Sequence, residues 1–320
     1  MQQDSLNEQD ALFALHTVLI AGPTASGKSA LALEVANRLD GIVINVDSMQ
    51  VYRELRVLSA RPSADEEAQV PHRLYGHISA RDPYSVALWL ADVREVVADC
   101  IDKQKTPILV GGTGLYFKAL LEGLSPVPKI DEEVRAYWRE RAANSTSETL
   151  HGELATRDRQ MAIRLEPNDM QRIVRSLEVF ESTGKSLAEW QGHKAMPMLN
   201  ASTAMRITLS PPRPWLHQRI NDRFEQMVDM GGMEEAVALS EMELKGDSLA
   251  LRAIGAEALV AVANGTLELA EALERSKAQT RQYAKRQETW FRNQMPNWLT
   301  YDPTSGQWEK LMESIENSCK

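Results

Sequence analysis

The stretch "HTVLIAGPTASGKSALALEVANRL", residues 16–39, decides the fold of this 320-residue chain. Its first part, 16–22, is a short apolar run that ends at a glycine, as buried parallel strands do. The segment "GPTASGKS", 22–29, has the Gly-x4-Gly-Lys-Ser spacing of a phosphate-binding P-loop. Apolar residues then recur at every fourth position, which predicts a helix over 28–39. Strand, loop and helix in this order are the context that the motif requires, and a chance match is therefore disfavoured.

The residue types of the loop suit a di- or triphosphate. Its glycines allow backbone N–H groups to turn toward an anion, and the helix N-terminus adds a partial positive charge. Lys28 supplies a full charge to the terminal phosphate oxygens, and Ser29 offers a hydroxyl to Mg²⁺. The motif alone does not distinguish a diphosphate from a triphosphate.

Further apolar runs extend the pattern into an α/β fold. Strands are predicted at 41–48 and 106–114, and an apolar stripe of helical period runs from Val86 to Ile101. The alternation of strand and helix predicts a P-loop-containing parallel sheet flanked by helices. Later in the chain, a strand is predicted at 205–212, helices at 214–230 and 266–294, and an edge strand at 297–303.

The prolines of "EGLSPVPKID", 122–131, mark a change to a helical, charged, Arg-rich region that continues to about residue 200. We therefore predict a helical insertion domain at 125–202, within a P-loop catalytic core formed by 16–124 and 203–320. The polar residues 1–15 are expected to form a disordered tail.

Composition narrows the possible classes of protein. The longest apolar runs fall short of the 18 residues of a membrane span, and the polar N-terminus lacks the features of a secretory signal. Only two cysteines occur, which disfavours a disulfide scaffold or a cysteine zinc site and favours a cytoplasmic location. The net charge of −9 argues against nucleic-acid binding driven by global charge, but not against a local basic patch.

Two polar segments follow predicted strands, at the edge where open α/β sheets bind ligands. Asp47, in "VDSMQ" at 46–50, is a candidate Mg²⁺ ligand or general base, although a turn or helix-capping aspartate explains the pattern equally well. Thr113, in "GGTG" at 111–114, lies at the same edge, where a tight turn with a capping threonine is the simpler explanation.

Positive side chains are concentrated at three places. Arg219 and Arg223 share one face of a helix and are candidates to clamp a departing phosphate, the alternative being solvated surface arginines. The segments 156–175 and 275–292 are rich in Arg and Lys, and the second also carries Tyr283 and two further aromatic residues. Such clusters suit a polyanion with stackable bases, or else a solvated helix with salt bridges.

Taken together, these motifs resemble the bacterial tRNA dimethylallyltransferases, also called tRNA isopentenyltransferases. The similarity is collinear over about residues 16–300, and it is carried by the segments "GPTASGKSALA", "INVDSMQVYRELRVLSARPS", "VPHRLYGHISARDPYSVALW", "PILVGGTGLYFKALLEGL", "NDMQRIVRSLEVFESTGKSL" and "QTRQYAKRQETWFR". The resemblance implies transfer of a dimethylallyl group from dimethylallyl diphosphate to N6 of adenosine 37 in tRNA. It also implies a monomer that uses Mg²⁺ and contacts the anticodon stem-loop.

The resemblance assigns roles to residues by motif. Catalytic roles are implied for Asp47, as the general base, and for Thr24 and Arg223, beside the diphosphate. The diphosphate loop would consist of Gly22, Pro23, Thr24, Ala25, Ser26, Gly27, Lys28 and Ser29, with Ser29 holding Mg²⁺. Contacts to tRNA are implied for Asp47, Ser48, Met49, Gln50, Thr113, Arg135, Gln171, Arg172, Ile173, Val174, Arg175 and Arg252.

One segment departs from the family pattern. In "RAIGAE", 252–257, Arg252 and Gly255 are kept, but Ala256 and Glu257 replace an aromatic residue and a residue that is usually polar or basic. A carboxylate weakens binding to RNA phosphates, so a direct contact from Glu257 is not expected. Two other functions remain open from the residues alone: a P-loop kinase of a nucleoside or small metabolite, and a non-catalytic tRNA-binding protein.

Overall fold

The computed structural model describes residues 16–193, 196–244 and 248–319, and the predicted tail at 1–15 lies outside them. One six-stranded sheet has the order β3-β2-β4-β1-β5-β6, and every pairing is parallel. Its strands are β1 (Thr17–Ala21), β2 (Gly41–Asn45), β3 (His72–Arg73), β4 (Thr106–Gly111), β5 (Ala204–Leu209) and β6 (Leu299–Tyr301).

Alternating residues of β1 pack into two different hydrophobic clusters. Leu19 and Ala21 belong to the cluster on one face of the sheet, and Val18 and Ile20 to the cluster on the other. Because both faces are covered, the central strand is apolar at nearly every position, which is why the run at 16–22 predicts a buried parallel strand.

Helices surround this sheet. They are α1 (Lys28–Arg38), α2 (Ala64–Gln69), α3 (Val86–Asp102), α4 (Gly114–Glu122), α10 (Arg213–Met227), α11 (Met233–Glu241), α12 (Ala256–Ala263), α13 (Leu269–Gln294) and α14 (Trp308–Ser318), with a π-helical turn at Val228–Gly232 and a 3₁₀ turn at Leu249–Arg252. Among the helices of the described residues, none is both long and apolar enough to cross a bilayer.

The chain divides into two compact units. One contains the described residues up to Leu121 and those from Met198 onward, and the other is Glu122–Pro197. The second unit has its own core, with Trp138, Leu150 and Leu154 fully buried. It consists of α5 (Glu132–Ala143), α6 (Ser147–Arg157), α7 (Arg159–Arg164), α8 (Met170–Thr183) and α9 (Leu187–Gly192).

In the first unit, the chain leaves and returns at one point. The backbone carbonyl of Leu120 accepts hydrogen bonds from the N–H groups of Met198 (2.9 Å) and Leu199 (3.1 Å). The strand predicted at 205–212 then begins as β5 at Ala204 and pairs along the whole length of β1.

Most elements lie where the sequence predicts them, with shifts of a few residues. The strand predicted at 41–48 ends at Asn45, because the residues after it turn into the site described below. The helix predicted to end at residue 230 is α-helical only to Met227, and Gly231 with φ +98° breaks the helical conformation inside the π-helical turn. The sequence does not predict β3 or the helices α2, α4, α11, α12 and α14.

Candidate functional site

The P-loop connects β1 to α1 in a strained conformation. Ala25 has a φ of +63°, a region that costs a non-glycine residue roughly 1 kcal/mol or more, and Gly27 follows at +93°. The hydroxyl of Ser26 is buried and has no hydrogen-bond partner among the described residues. An unpartnered polar group inside a strained loop is the condition expected of a preformed anion site.

Lys28 is the first residue of α1 and turns back over the loop. Its Nζ donates a hydrogen bond to the carbonyl of Pro23 (2.6 Å). Although the side chain as a whole is only half-buried, burial of its ammonium lowers the pKa of Lys28 to about 7. The negative charge of Asp47 raises this pKa, and the positive charge of Arg223 lowers it.

The arginine pair of α10 faces the P-loop. Arg223 donates to the hydroxyl of Thr24, and Nε of Arg219 donates to the carbonyl of Ala25 (3.1 Å). The pKa of Arg223 is lowered to about 10, mainly by burial and also by the positive charge of Arg219, whereas Asp47 acts in the opposite direction. The alternative of a solvated surface arginine is therefore wrong for Arg223, whereas Arg219 is exposed and reaches the loop only through its Nε.

Asp47 lies just beyond the end of β2, half-buried and held by its neighbours. The buried side chain of Asn45 accepts from the Asp47 N–H (2.8 Å) and donates to the Asp47 carbonyl (2.9 Å). Oδ1 of Asp47 accepts from the N–H of Met49 (2.9 Å), which leaves Oδ2 on the side of Gly112. The charge of Asp47 adds to the burial that raises the pKa of three surrounding tyrosines, Tyr75, Tyr116 and Tyr283.

The "GGTG" turn after β4 packs directly against the Asp47 segment. The Thr113 hydroxyl accepts from the N–H of Ser48 (3.0 Å) and lies 3.3 Å from the Ser48 hydroxyl. A Cβ at Gly111 would lie 2.0 Å from the carbonyl oxygen of Val46, so only glycine permits this approach. The Asp47 segment and the glycine turn therefore form one hydrogen-bonded unit at the carboxyl-terminal ends of the strands β2 and β4.

Gln287, on α13, is a site residue that sequence reasoning missed. Its Oε1 accepts from the N–H of Thr24 (2.8 Å), and its Nε2 donates to the carbonyl of Gly112 (2.9 Å). It lies in "QTRQYAKRQETWFR", one of the segments that carry the family resemblance, but no local pattern distinguishes it from the other glutamines of that helix.

The residues expected to contact tRNA occupy varied environments. In α8, Gln171 and Arg172 are exposed and Arg175 is half-buried, whereas Ile173 and Val174 pack in the core of the helical unit. Side-chain contacts from the last two are therefore not available in this conformation. Arg135 lies 3.5 Å from Glu132 within α5.

Two further expected tRNA contacts, Gln50 and Arg252, lie in the first unit, as do Gly255 and Glu257 of the segment that departs from the family pattern. The Gln50 amide is engaged within the protein, since Nε2 donates to the carbonyls of Ser59 and Ala60, both at 2.9 Å. Arg252 is exposed. Gly255, with φ +92°, is required because a Cβ would lie 2.4 Å from the ring of Phe224, and Glu257 points to solvent on the first turn of α12.

The basic cluster at 275–292 is partly neutralised by acids from its own helix and from α10. Lys277 binds Glu225 and Glu274 at 2.6 and 3.0 Å, and Arg275 pairs with Glu271. Two further cations of this helix, Lys285 and Arg286, line an open groove. The other residues that line it are Gln282, Thr289, Trp290, Asn293 and Gln294.

The residues at the loop fit a magnesium ion bound mainly by phosphate and water. Ser29 is exposed at the N-terminus of α1, where its hydroxyl is accessible to a ligand. The part of the chain that the structure describes contains no group of three or more His, Cys, Asp or Glu able to hold a metal alone. Mg²⁺ beside substrate phosphates usually needs only one or two protein ligands, so this donor set is adequate.

Comparisons with known proteins agree with one another. The family described as IPP transferase matches residues 50–294, and the family described as isopentenyl transferase matches residues 15–82. A tRNA dimethylallyltransferase of Azorhizobium caulinodans is 50% identical over 298 residues, covering 93% of this chain and 95% of its own length. One from Rhizobium johnstonii is 47% identical, covering 95% and 99%.

Solved structures show the same similarity in three dimensions. The full-length tRNA isopentenylpyrophosphate transferase of Bacillus halodurans is 31% identical, with a TM-score of 0.68 over 95% of this chain and 96% of its own. A eukaryotic dimethylallyltransferase captured acting on tRNA is 25% identical, with a TM-score of 0.77 over 94% of this chain and 77% of its own.

Proposed function

This chain belongs to the tRNA dimethylallyltransferase family, and on that premise we propose that it transfers a dimethylallyl group from dimethylallyl diphosphate to N6 of adenosine 37 in tRNA. The products are N6-(dimethylallyl)adenosine and diphosphate. The observation that carries this proposal is the convergence of a P-loop, Arg223 and Asp47 at one sheet edge, where the pKa values of Lys28 and Arg223 both respond to the charge of Asp47.

The donor side of the site consists of the P-loop and the α10 arginines. The loop's N–H groups, the unpartnered hydroxyl of Ser26 and the ammonium of Lys28 together suit a diphosphate. Arg223, which already contacts the Thr24 hydroxyl, lies where a second positive charge meets the departing group. These donors and positive charges are sufficient to hold a diphosphate. The diphosphate departs intact, so no phosphoryl group is transferred.

On the acceptor side, Asp47 acts as the general base. The adenine N6 is a poor nucleophile because its lone pair is delocalised into the ring, so loss of its proton must accompany attack on C1 of the donor. Oδ1 of Asp47 is held by the N–H of Met49, so we assign the proton to Oδ2. The hydrogen bonds from Asn45 fix the backbone that carries this carboxylate.

Charge develops on the diphosphate as the C1–O bond breaks. Fixed donors that point at this charge stabilise the transition state without reorganising, which is commonly the largest catalytic contribution. Mg²⁺, held by Ser29 and the diphosphate oxygens when bound, would neutralise part of the same charge. The allylic carbon must also be shielded from water, which would otherwise compete with N6.

Recognition of tRNA requires surfaces beyond the catalytic edge. We assign this role to Gln171, Arg172 and Arg175 of α8 and to the groove side chains Lys285 and Arg286 of α13. Adenosine 37 must leave its stack to reach Asp47, which costs a few kcal/mol and costs least in a loop such as the anticodon loop. We propose that the chain acts as a cytoplasmic monomer.

Incubation of the protein with unmodified anticodon stem-loop RNA and radiolabelled dimethylallyl diphosphate tests the proposal. We expect label in the RNA, at N6 of adenosine 37 on nucleoside analysis. A parallel incubation with γ-labelled ATP distinguishes a P-loop kinase, and label transferred only from ATP would overturn the proposal.

Asp47→Asn removes the base with little change of shape. We expect transfer to fall by roughly two to four orders of magnitude, while binding of the RNA measured by filter retention stays within about threefold. Equal loss of transfer and RNA binding would remove Asp47 from the role of base and leave it as an RNA contact.

A further inference from the structure

Gln287 joins two loops that are far apart in sequence. Thr24 follows β1 and Gly112 follows β4, and these two strands are neighbours in the sheet. The Gln287 amide accepts from the first loop (2.8 Å) and donates to the second (2.9 Å), and the residue is 6% exposed. A buried amide with both halves satisfied is held in one orientation.

Gly112 is the point where this link meets the catalytic carboxylate. A Cβ on Gly112 would lie 2.1 Å from Nε2 of Gln287 and 3.5 Å from Oδ2 of Asp47. The Gln287 amide and the Asp47 carboxylate therefore both lie next to Gly112. On its other side, Thr24 is held by the Arg223 guanidinium through its hydroxyl.

We propose that Gln287 is a positioning residue that fixes the distance between the donor's diphosphate and the Asp47 carboxylate. It acts by tying the P-loop to the Gly112 turn, and it need not touch either substrate. The proposal rests on the function proposed above, because the two loops it joins are there assigned to the donor and to the base. Small errors in the placement of reacting groups slow the chemical step more than they weaken binding.

The chemistry of the link requires a neutral amide. One partner is a backbone N–H and the other a backbone carbonyl, so the side chain must accept with one atom and donate with the other. An ionised glutamate accepts from Thr24 but repels the Gly112 carbonyl. A protonated glutamic acid again supplies both an acceptor and a donor.

Substitutions at this position separate positioning from binding. We compare the wild-type protein with Gln287→Ala, Gln287→Glu and, as a matched control, Gln226→Ala, which alters an exposed glutamine of α10. The assay is transfer from dimethylallyl diphosphate to unmodified anticodon stem-loop RNA, at about pH 6 to 9. For Gln287→Ala we expect kcat to fall roughly 10- to 100-fold, as for the loss of two buried hydrogen bonds, and KM for the donor to change less than about threefold.

The pH profile of Gln287→Glu is the sharper readout. Lys28 titrates in this pH range and Asp47 and Arg223 carry charge beside the two loops in both proteins, so the ratio of variant to wild-type kcat isolates residue 287. We expect this ratio to fall as pH rises, because burial at this position raises the pKa of the introduced carboxyl into the assayed range and the acid loses its donor on ionising. Gln226→Ala should match the wild type throughout.

Three results would overturn the inference: a raised KM with unchanged kcat, a ratio for Gln287→Glu that does not vary with pH, or an equal loss in Gln226→Ala. Amide hydrogen exchange of Thr24 provides a test that does not depend on transfer. Gln287→Ala should speed exchange at this N–H, and unchanged exchange would also refute the link. If the wild-type protein transfers no label while the Thr24 amide still responds, the proposed function fails and the link stands.

Discussion

Lys28 should take up a proton when the P-loop binds a diphosphate at mildly alkaline pH. In the ligand-free chain, burial lowers the pKa of this lysine to about 7. A diphosphate beside the ammonium favours the charged form and moves the pKa back toward its ordinary value of about 10.4. The perturbation is therefore the addition of dimethylallyl diphosphate to the free protein.

The size of the uptake depends on pH. At about pH 8, a lysine with a pKa of about 7 is roughly 10% protonated, so binding should take up about 0.9 proton; at about pH 6 the uptake should be only about 0.1 proton.

The lowered pKa of Lys28 should also make the stability of the fold depend on pH. Because the unfolded lysine holds its proton up to about pH 10, the free energy of unfolding should rise between about pH 7 and 10, where the unfolded state binds more protons than the folded one.

Titration calorimetry in two buffers with different ionisation enthalpies measures this uptake. Lys28→Met is the control, because the donor's own diphosphate also titrates and its contribution remains in the variant. We expect the variant to lose nearly all of the additional uptake at about pH 8 and to show no additional rise of stability between about pH 7 and 10. Equal proton uptake by wild type and variant would refute the buried, partly neutral lysine.

Three other variants test separate parts of the site. Gly111→Ala should lower the free energy of unfolding by about 3 kcal/mol in denaturant titrations, because its Cβ meets the carbonyl of Val46 at 2.0 Å; unchanged stability would mean that the turn can relax. Arg223→Lys keeps the charge but loses the forked geometry, so kcat/KM for the donor should fall roughly tenfold, and a wild-type value would remove Arg223 from the diphosphate site. The double substitution of Lys285 and Arg286 to Ala should reduce the salt dependence of RNA binding by about one to two units of log K per log salt; an unchanged slope would remove α13 from the RNA surface.

The sequence predicts the elements of this fold whose residue pattern is visible within a short segment of the chain. The spacing of the P-loop, the apolar strands and the helical spacing of Arg219 and Arg223 each carry their own signal, and each lies where the pattern indicates. The two-residue strand β3 carries no periodicity, since a strand of that length is defined only by its partner β2.

The features that sequence did not predict depend on contacts between distant residues. Gln287 lies 263 residues from Thr24, and nothing in its own helix indicates that its side chain turns inward to the loop. Asn45 was likewise read only as part of an apolar strand, although its amide holds the Asp47 backbone. The motif match of 171–175 predicts a segment that contacts tRNA, but it does not predict which side chains of the helix are accessible. Ile173 and Val174 are buried because they lie on the face that packs into the core of the helical unit.

The hydrogen bonds of Leu120 to Met198 and Leu199 have a consequence for how this chain could have been assembled. Because these hydrogen bonds join the two ends of the core segment that flank residues 122–197, the core is interrupted by those residues only as it would be by one long loop. The entropy of closing a loop grows only slowly with its length, so closing 76 residues costs the core only about 2–3 kcal/mol more than closing a four-residue turn would. The helical unit could thus be lengthened, shortened or exchanged in evolution without altering the register of the sheet.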